Sequence, residues 1–300
     1  KRRSTKPGWW DVTLLLKVWL LKKQQVILVG SGVALFCLIY FFGRTIPPKS
    51  TGAAAPATSH SNELNINTIL AASRQQLTPG QQAYVAQLET AVVRGDVKEQ
   101  QIKVYKQLAA FWRDSAHMLL PYGYYTAEAA KLENSQKSLT FAAQFFLNGV
   151  RRQDNHDLQR WMALQAKELF EKALDLDPKN DSLKVGLGSC YLFGAISENP
   201  MQGITMIREV AERDPENMYA QYMLAMGGLV SGQLDKAIER LLIIAQHQPD
   251  NAEILLMLAD AYEQKGDKPQ AVKWYEAGKK HIRDANVVKE IDNRIAQLKK

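Results

Sequence analysis

Side chains able to do covalent or acid–base chemistry are few and scattered along the 300 residues. Five histidines (His60, His117, His156, His247 and His281) lie far apart and read as surface or packing residues. Cys37 falls in an apolar run and Cys190 in a predicted helix. With no CxxC and no Cys/His cluster, the pair implies neither an intrachain disulfide nor a metal site. Asp175, Asp177, Asp214 and Asp235 stand at predicted helix ends and turns, where capping and the helix dipole account for carboxylates. No Ser/His/Asp arrangement, phosphate-binding loop or dinucleotide fingerprint is legible. The expectation is a chain that is not an enzyme, with no catalytic residues, no metal and no cofactor.

A net charge of +7 would suit a nucleic-acid binder if it were spread over the molecule. It is not. Residues 1–50 hold nine Lys/Arg against Asp11 alone, a net +8, which leaves −1 for residues 51–300. Nucleic acid is therefore not an expected partner. Long alternating Val/Ile/Thr runs, the signature of strands, are missing as well, so the chain reads as all-α.

The basic segment explains itself differently. Residues 1–23 mix Lys and Arg with Trp9, Trp10, Trp19 and several leucines, and close on Lys22 and Lys23. Indole rings and lysines in a short amphipathic stretch suit the surface of a lipid bilayer. The alternative is that this stretch merely flanks the next helix. Val26 to Phe42 carries no charge, and with Gln24, Gln25 and Gly43 the segment 24–43 reaches the roughly 20 residues of a bilayer span. Seven Lys/Arg before it and two shortly after predict a cytoplasmic N-terminus. Small residues at Ala53 to Ala57 offer a cleavage site, but they lie some ten residues beyond the span, so an uncleaved anchor is expected. Residues 44–62, with Pro47, Pro48, Gly52 and Pro56, have linker composition.

The remainder repeats. Leu224, Ala225, Gly232, Ala237, Leu241 and Pro249 fall at the positions that Leu258, Ala259, Gly266, Ala271, Tyr275 and Arg283 occupy 34 residues later. That period, with its Leu-Ala pair, turn glycine, small alanine and terminal proline, resembles the tetratricopeptide repeat (TPR) family. The likeness is strong over residues 181–284 and weak over 102–180. It makes Gly186-Leu187-Gly188 a repeat glycine with a neighbour, not a phosphate cradle. Thr78-Pro79 reads as a helix start and Gly95-Asp96 as a stop followed by a new cap. Residues 63–135 are read as N-terminal helices with a degenerate repeat, and 136–284 as TPR repeats. The repeat over 136–180 is about ten residues too long, and the excess is assigned to a loop from Gly149 to Leu158. Residues 285–300, with Val288, Ile291, Ile295 and Leu298 at helical spacing, should cap the array. The expected fold is one transmembrane helix followed by a right-handed TPR α-solenoid with a C-terminal capping helix.

What the resemblance implies is a concave face lined by the first helix of each hairpin. Transferring the family's ligand-facing positions gives Ser182, Val185, Ser189 and Leu192 in one hairpin. The next contributes Tyr219, Tyr222, Met226 and Leu229, and the last Glu253, Leu256, Asp260 and Glu263. Such a groove would be apolar in its middle and acidic at its C-terminal end, suiting a segment with hydrophobic and basic residues. The alternative is that Tyr222, Met226 and Leu229 pack against neighbouring helices or against the N-terminal segment folding back into the groove. The Lys/Asn/Arg clamp of chaperone-binding repeats is absent, because Val185, Ser189, Met223, Glu253 and Met257 occupy its places. The segment Ser197 to Ile204 is similar to one in membrane-anchored TPR proteins of Bacteroidota, and the layout to the ancillary TPR subunit of the bacterial Sec translocon. The implied function is a single-pass inner-membrane adaptor with a periplasmic TPR domain. Its partners would be envelope or membrane proteins, the Sec translocon or another secretion complex among them, together with membrane lipid, in export, secretion or periplasmic chaperoning. A cytochrome c maturation factor that binds apocytochrome, and a cell-wall or division scaffold, are the alternatives.

Overall fold

The computed structural model describes residues 64–94, 97–197 and 199–300, and every regular element among them is helical. The expected span 24–43, the interface residues Trp9, Trp10, Trp19, Lys22 and Lys23, the linker 44–62 and Gly95-Asp96 lie outside the described residues. Among the described residues no helix is long and apolar enough to cross a membrane.

The chain begins with α1 (Ile66–Gln75) and α2 (Pro79–Arg94). Thr78 and Gln81 close a capping box at the start of α2: the Thr78 N–H meets Gln81 Oε1 at 3.0 Å, and the Gln81 N–H meets Thr78 Oγ1 at 3.4 Å. Next come α3 (Lys98–Ala110), a π-helical turn (Phe111–Ser115) and α4 (Leu119–Glu133). Four more pairs then follow in order. They are α5 (Gln136–Val150) with α6 (His156–Leu176), α7 (Asp181–Phe193) with α8 (Met201–Arg213), α9 (Met218–Val230) with α10 (Leu234–His247), and α11 (Ala252–Gln264) with α12 (Lys268–Lys279). The last element, α13 (Ala285–Leu298), packs on α12.

Repetition in the sequence becomes repetition in local chemistry. Asn180, Asn217 and Asn251 accept from the backbone N–H three residues on, and so cap α7, α9 and α11. The side-chain caps of these helices are thus asparagines. Asp177 instead ends α6, where its carboxylate accepts from Asn180 at 3.0 Å and Gln136 at 3.3 Å. Gly232 (φ 73°) and Gly266 (φ 85°) supply the left-handed turn that joins α9 to α10 and α11 to α12. One expectation is corrected here. The extra length in the repeat over 136–180 is largely helical, because α6 runs for 21 residues and only residues 151–155 separate it from α5.

Each hairpin buries its stripe against the next. In α5, Leu139, Ala142, Ala143, Phe146, Leu147 and Val150 are all fully buried, at the spacing of one helix face. Phe170 of α6 joins that core, while Trp112 anchors a separate one with Leu70, Val85 and Tyr125. Burying such a side chain contributes about 1.5–3 kcal/mol, against about 0–1 for a surface ion pair. The apolar layers hold the array. The described end helix behaves as a cap, with Ile291 and Ile295 buried, Leu298 packed alongside and charged residues outward.

Candidate functional site

The register of the leucine–alanine pairs fixes which side chains α3, α5, α7, α9 and α11 present to the inner face. Counting from Leu187-Gly188, Leu224-Ala225 and Leu258-Ala259 yields the residues named above. Applied to Leu108-Ala109 and Ala142-Ala143, the same spacing yields Lys103, Lys106, Ala110 and Arg113 on α3, and Lys137, Thr140, Gln144 and Leu147 on α5. These were missed, although the two small-residue pairs were a sufficient signal. They also reveal a gradient: four cations and no carboxylate in the first two hairpins, against Glu253, Asp260 and Glu263 with no cation in the last.

In the middle, the face is closed by the chain itself. Val185 and Ser189 are fully buried, with the Ser189 hydroxyl donating to the Val185 carbonyl at 2.8 Å, so neither offers a surface to a partner. Leu192 packs into the same core, and Ser182 alone of that set is exposed. Gln144 donates to the Tyr219 hydroxyl at 3.1 Å, and burial raises the pKa of that phenol. Arg151, just past the end of α5, donates to the Tyr222 hydroxyl at 3.3 Å and lies 5.6 Å from its ring centre. Tyr222 in turn donates to Glu253 at 3.3 Å. Tyr222 and Leu229 pack against the α10–α11 core, and Met226 is half-buried.

The acidic end is also occupied. Tyr275 of α12 donates to both Asp260 and Glu263, the latter at 3.0 Å, and burial followed by these two carboxylates raises its pKa. Arg294 of α13 grips Glu263 with both Nε (2.9 Å) and Nη2 (2.5 Å). Leu256 is half-buried beside them. A groove with free carboxylates for a basic segment is therefore not what α11 presents: two of its three acids serve the fold, and Glu253 is held by Tyr222.

The first two hairpins differ. Here α3 and α5 flank a hollow of about 470 Å³ whose floor is α4. Lys106, Ala109, Ala110 and Arg113 form one wall, and Phe141, 57% exposed, the other; Ala129 and Ala130 lie at the bottom. The π-helical turn sets the place of Arg113, which lies 5.6 Å from the Tyr122 ring centre and pairs with Asp114 at 2.7 Å. Their hydrogen bond raises the pKa of Arg113 and lowers that of Asp114. Such turns recur at functional sites. Immediately after it, His117 takes a left-handed conformation (φ 54°), its Nδ1 at 3.2 Å from the Arg113 carbonyl oxygen.

Residues 229–285 match the family model for the tetratricopeptide repeat. This stretch is similar to a tetratricopeptide repeat. Anaphase-promoting complex subunit 3 of Dictyostelium discoideum is similar, 29% identical over 104 residues, which is 34% of this chain and 10% of that protein's length. The chain thus matches about a tenth of that relative. Among solved structures, a MamA protein is 18% identical with a TM-score of 0.41, covering 60% of this chain and 91% of that one. YrrB, described as a TPR protein with an unusual peptide-binding site, is 16% identical with a TM-score of 0.41, over 69% of this chain and 97% of its own. MamA from Desulfovibrio magneticus RS-1 is 20% identical with a TM-score of 0.42, over 62% and 96%.

Among the described residues, the scattered chemical side chains stay apart in this helical fold. His247 lies 3.6 Å from Glu216, and His281 lies 3.7 Å from Asp250. Cys190 is buried, which pushes its thiol pKa far up, and it donates to the Gly186 carbonyl at 3.3 Å. Among the described residues no three His, Cys, Asp or Glu side chains come together as a metal set.

Proposed function

We propose that this chain is a non-catalytic docking subunit of a bacterial envelope complex, in which the inner face of the TPR array holds a segment of another protein. The observation that carries this reading is the hollow between α3, α4 and α5, an open apolar depression on a face that α7, α9 and α11 fill with contacts of their own. The sequence adds the setting. Residues 24–43 form the anchor in the inner membrane, residues 1–23 lie at its cytoplasmic surface, and the repeats stand in the periplasm. Export, secretion or chaperoning is the role that this layout supports best. Full-length protein purified in mild detergent should carry an envelope or membrane protein with it, identified by mass spectrometry. A chain that emerges alone from such a preparation contradicts the adaptor role. Protease treatment of spheroplasts tests the topology separately: the repeats should be degraded from outside and residues 1–23 protected.

A further inference from the structure

We infer that the hollow between α3, α4 and α5 receives an acidic protein segment, one bulky apolar side chain of which enters the cavity while flanking carboxylates meet the lysines at its rim. This rests on the adaptor reading and adds the chemistry of the ligand. Small side chains, Ala129 and Ala130 at the bottom and Ala109 and Ala110 in one wall, leave about 470 Å³ open beside an exposed Phe141. A space of that size accommodates an aromatic or branched aliphatic anchor, and burial of such a side chain is the main source of affinity in a groove.

Charge sets the remainder of the ligand. Lys106, Arg113 and Lys137 line the cavity, and Lys103 lies one turn before Lys106 on the same face. Against them stand Glu133, a lining carboxylate engaged by Lys106, and Asp114, which pairs with Arg113. Lys103 and Lys137 are exposed and take part in no ion pair among the described residues. A basic segment would be repelled here, and at the opposite end of the inner face the carboxylates that could attract it are held by Tyr222, Tyr275 and Arg294.

The test is selection from a random-peptide phage library on the immobilised full-length protein in mild detergent. Enriched peptides are then measured by fluorescence anisotropy against wild type, Lys106→Glu/Lys137→Glu and Phe141→Ser, each checked by thermal melting. The expected peptides combine several Asp or Glu with one bulky apolar residue. Their affinity should fall at least about tenfold in the double variant, and a Glu→Lys version of the peptide should bind that variant again. Enrichment of basic or neutral peptides, or acidic peptides unaffected by the substitutions, overturns the inference. If no peptide is enriched while a partner still copurifies, the hollow is not the docking site but the adaptor role stands. Absence of both peptide and partner overturns the two together.

Discussion

The two ends of the inner face are built on the same register and do opposite things. In the C-terminal hairpins the inward positions are spent on the fold: Tyr222 bridges Arg151 and Glu253, and Glu263 is clasped by Tyr275 and Arg294. In the first two hairpins the corresponding positions hold Lys103, Lys106, Arg113 and Lys137 around a cavity with an alanine floor. Packing that satisfies itself contributes stability and leaves nothing over for a ligand. Around the open hollow, Lys103 and Lys137 are exposed, take part in no ion pair among the described residues and remain available. One repeat architecture thus divides its inner surface into a part closed by the fold and a part left open.

The largest effect is expected where the closed part depends on close helix approach. A Cβ at Gly203 would stand 2.2 Å from the Gly188 carbonyl oxygen and 2.9 Å from Tyr191 Cβ, so Gly203→Ala must push α7 and α8 apart. A loss of about 3 kcal/mol is expected in urea denaturation. Next comes a matched pair of substitutions. Tyr222→Ala should cost about 2 kcal/mol, through lost packing and its two bridging hydrogen bonds. Phe141→Ser should change stability by about 0.5 kcal/mol or less and act on binding instead. Equal costs for the two would erase the distinction between the ends.

Smaller changes probe the acidic end. Arg294→Ala should remove the ion pair that ties α13 to Glu263 and speed amide exchange in α13 while leaving exchange in α3 to α5 unchanged. The smallest effect concerns His247, whose pKa is raised above 6.5 by its bond to the Ile243 carbonyl and then by Glu216. A raised folded value means that its contribution is fully present below the unfolded pKa and is lost as pH rises through the folded one. An NMR titration should therefore find the His247 midpoint above 6.5. His247→Gln should flatten the slight loss of stability across that window.

Helical repeats were legible because their markers are local. The 34-residue recurrence of Leu-Ala pairs and turn glycines predicts α9 to α12, and Gly232 and Gly266 take the left-handed conformation assigned to them. The 149–158 loop was drawn too long because an insertion can lengthen a helix as readily as a turn, and α6 absorbed most of it. The site was harder to read. Register says which residues point inward but not whether a neighbour is already there. Val185 and Ser189 look like groove residues until α7 is seen buried on both sides, and Asp260 and Glu263 look free until Tyr275 and Arg294 reach them. The degenerate N-terminal repeats, weakest in family markers, hold the open surface.

The measurement that tests this division most directly is crosslinking of the full-length protein to its copurified partner with a lysine-reactive reagent, read by mass spectrometry. Lysines stand at both ends, so the reagent does not favour either. The predicted result is crosslinks from the partner to Lys103, Lys106 and Lys137. Crosslinks gathered instead at Lys265, Lys268 and Lys273 would place the partner at the C-terminal end and contradict the account.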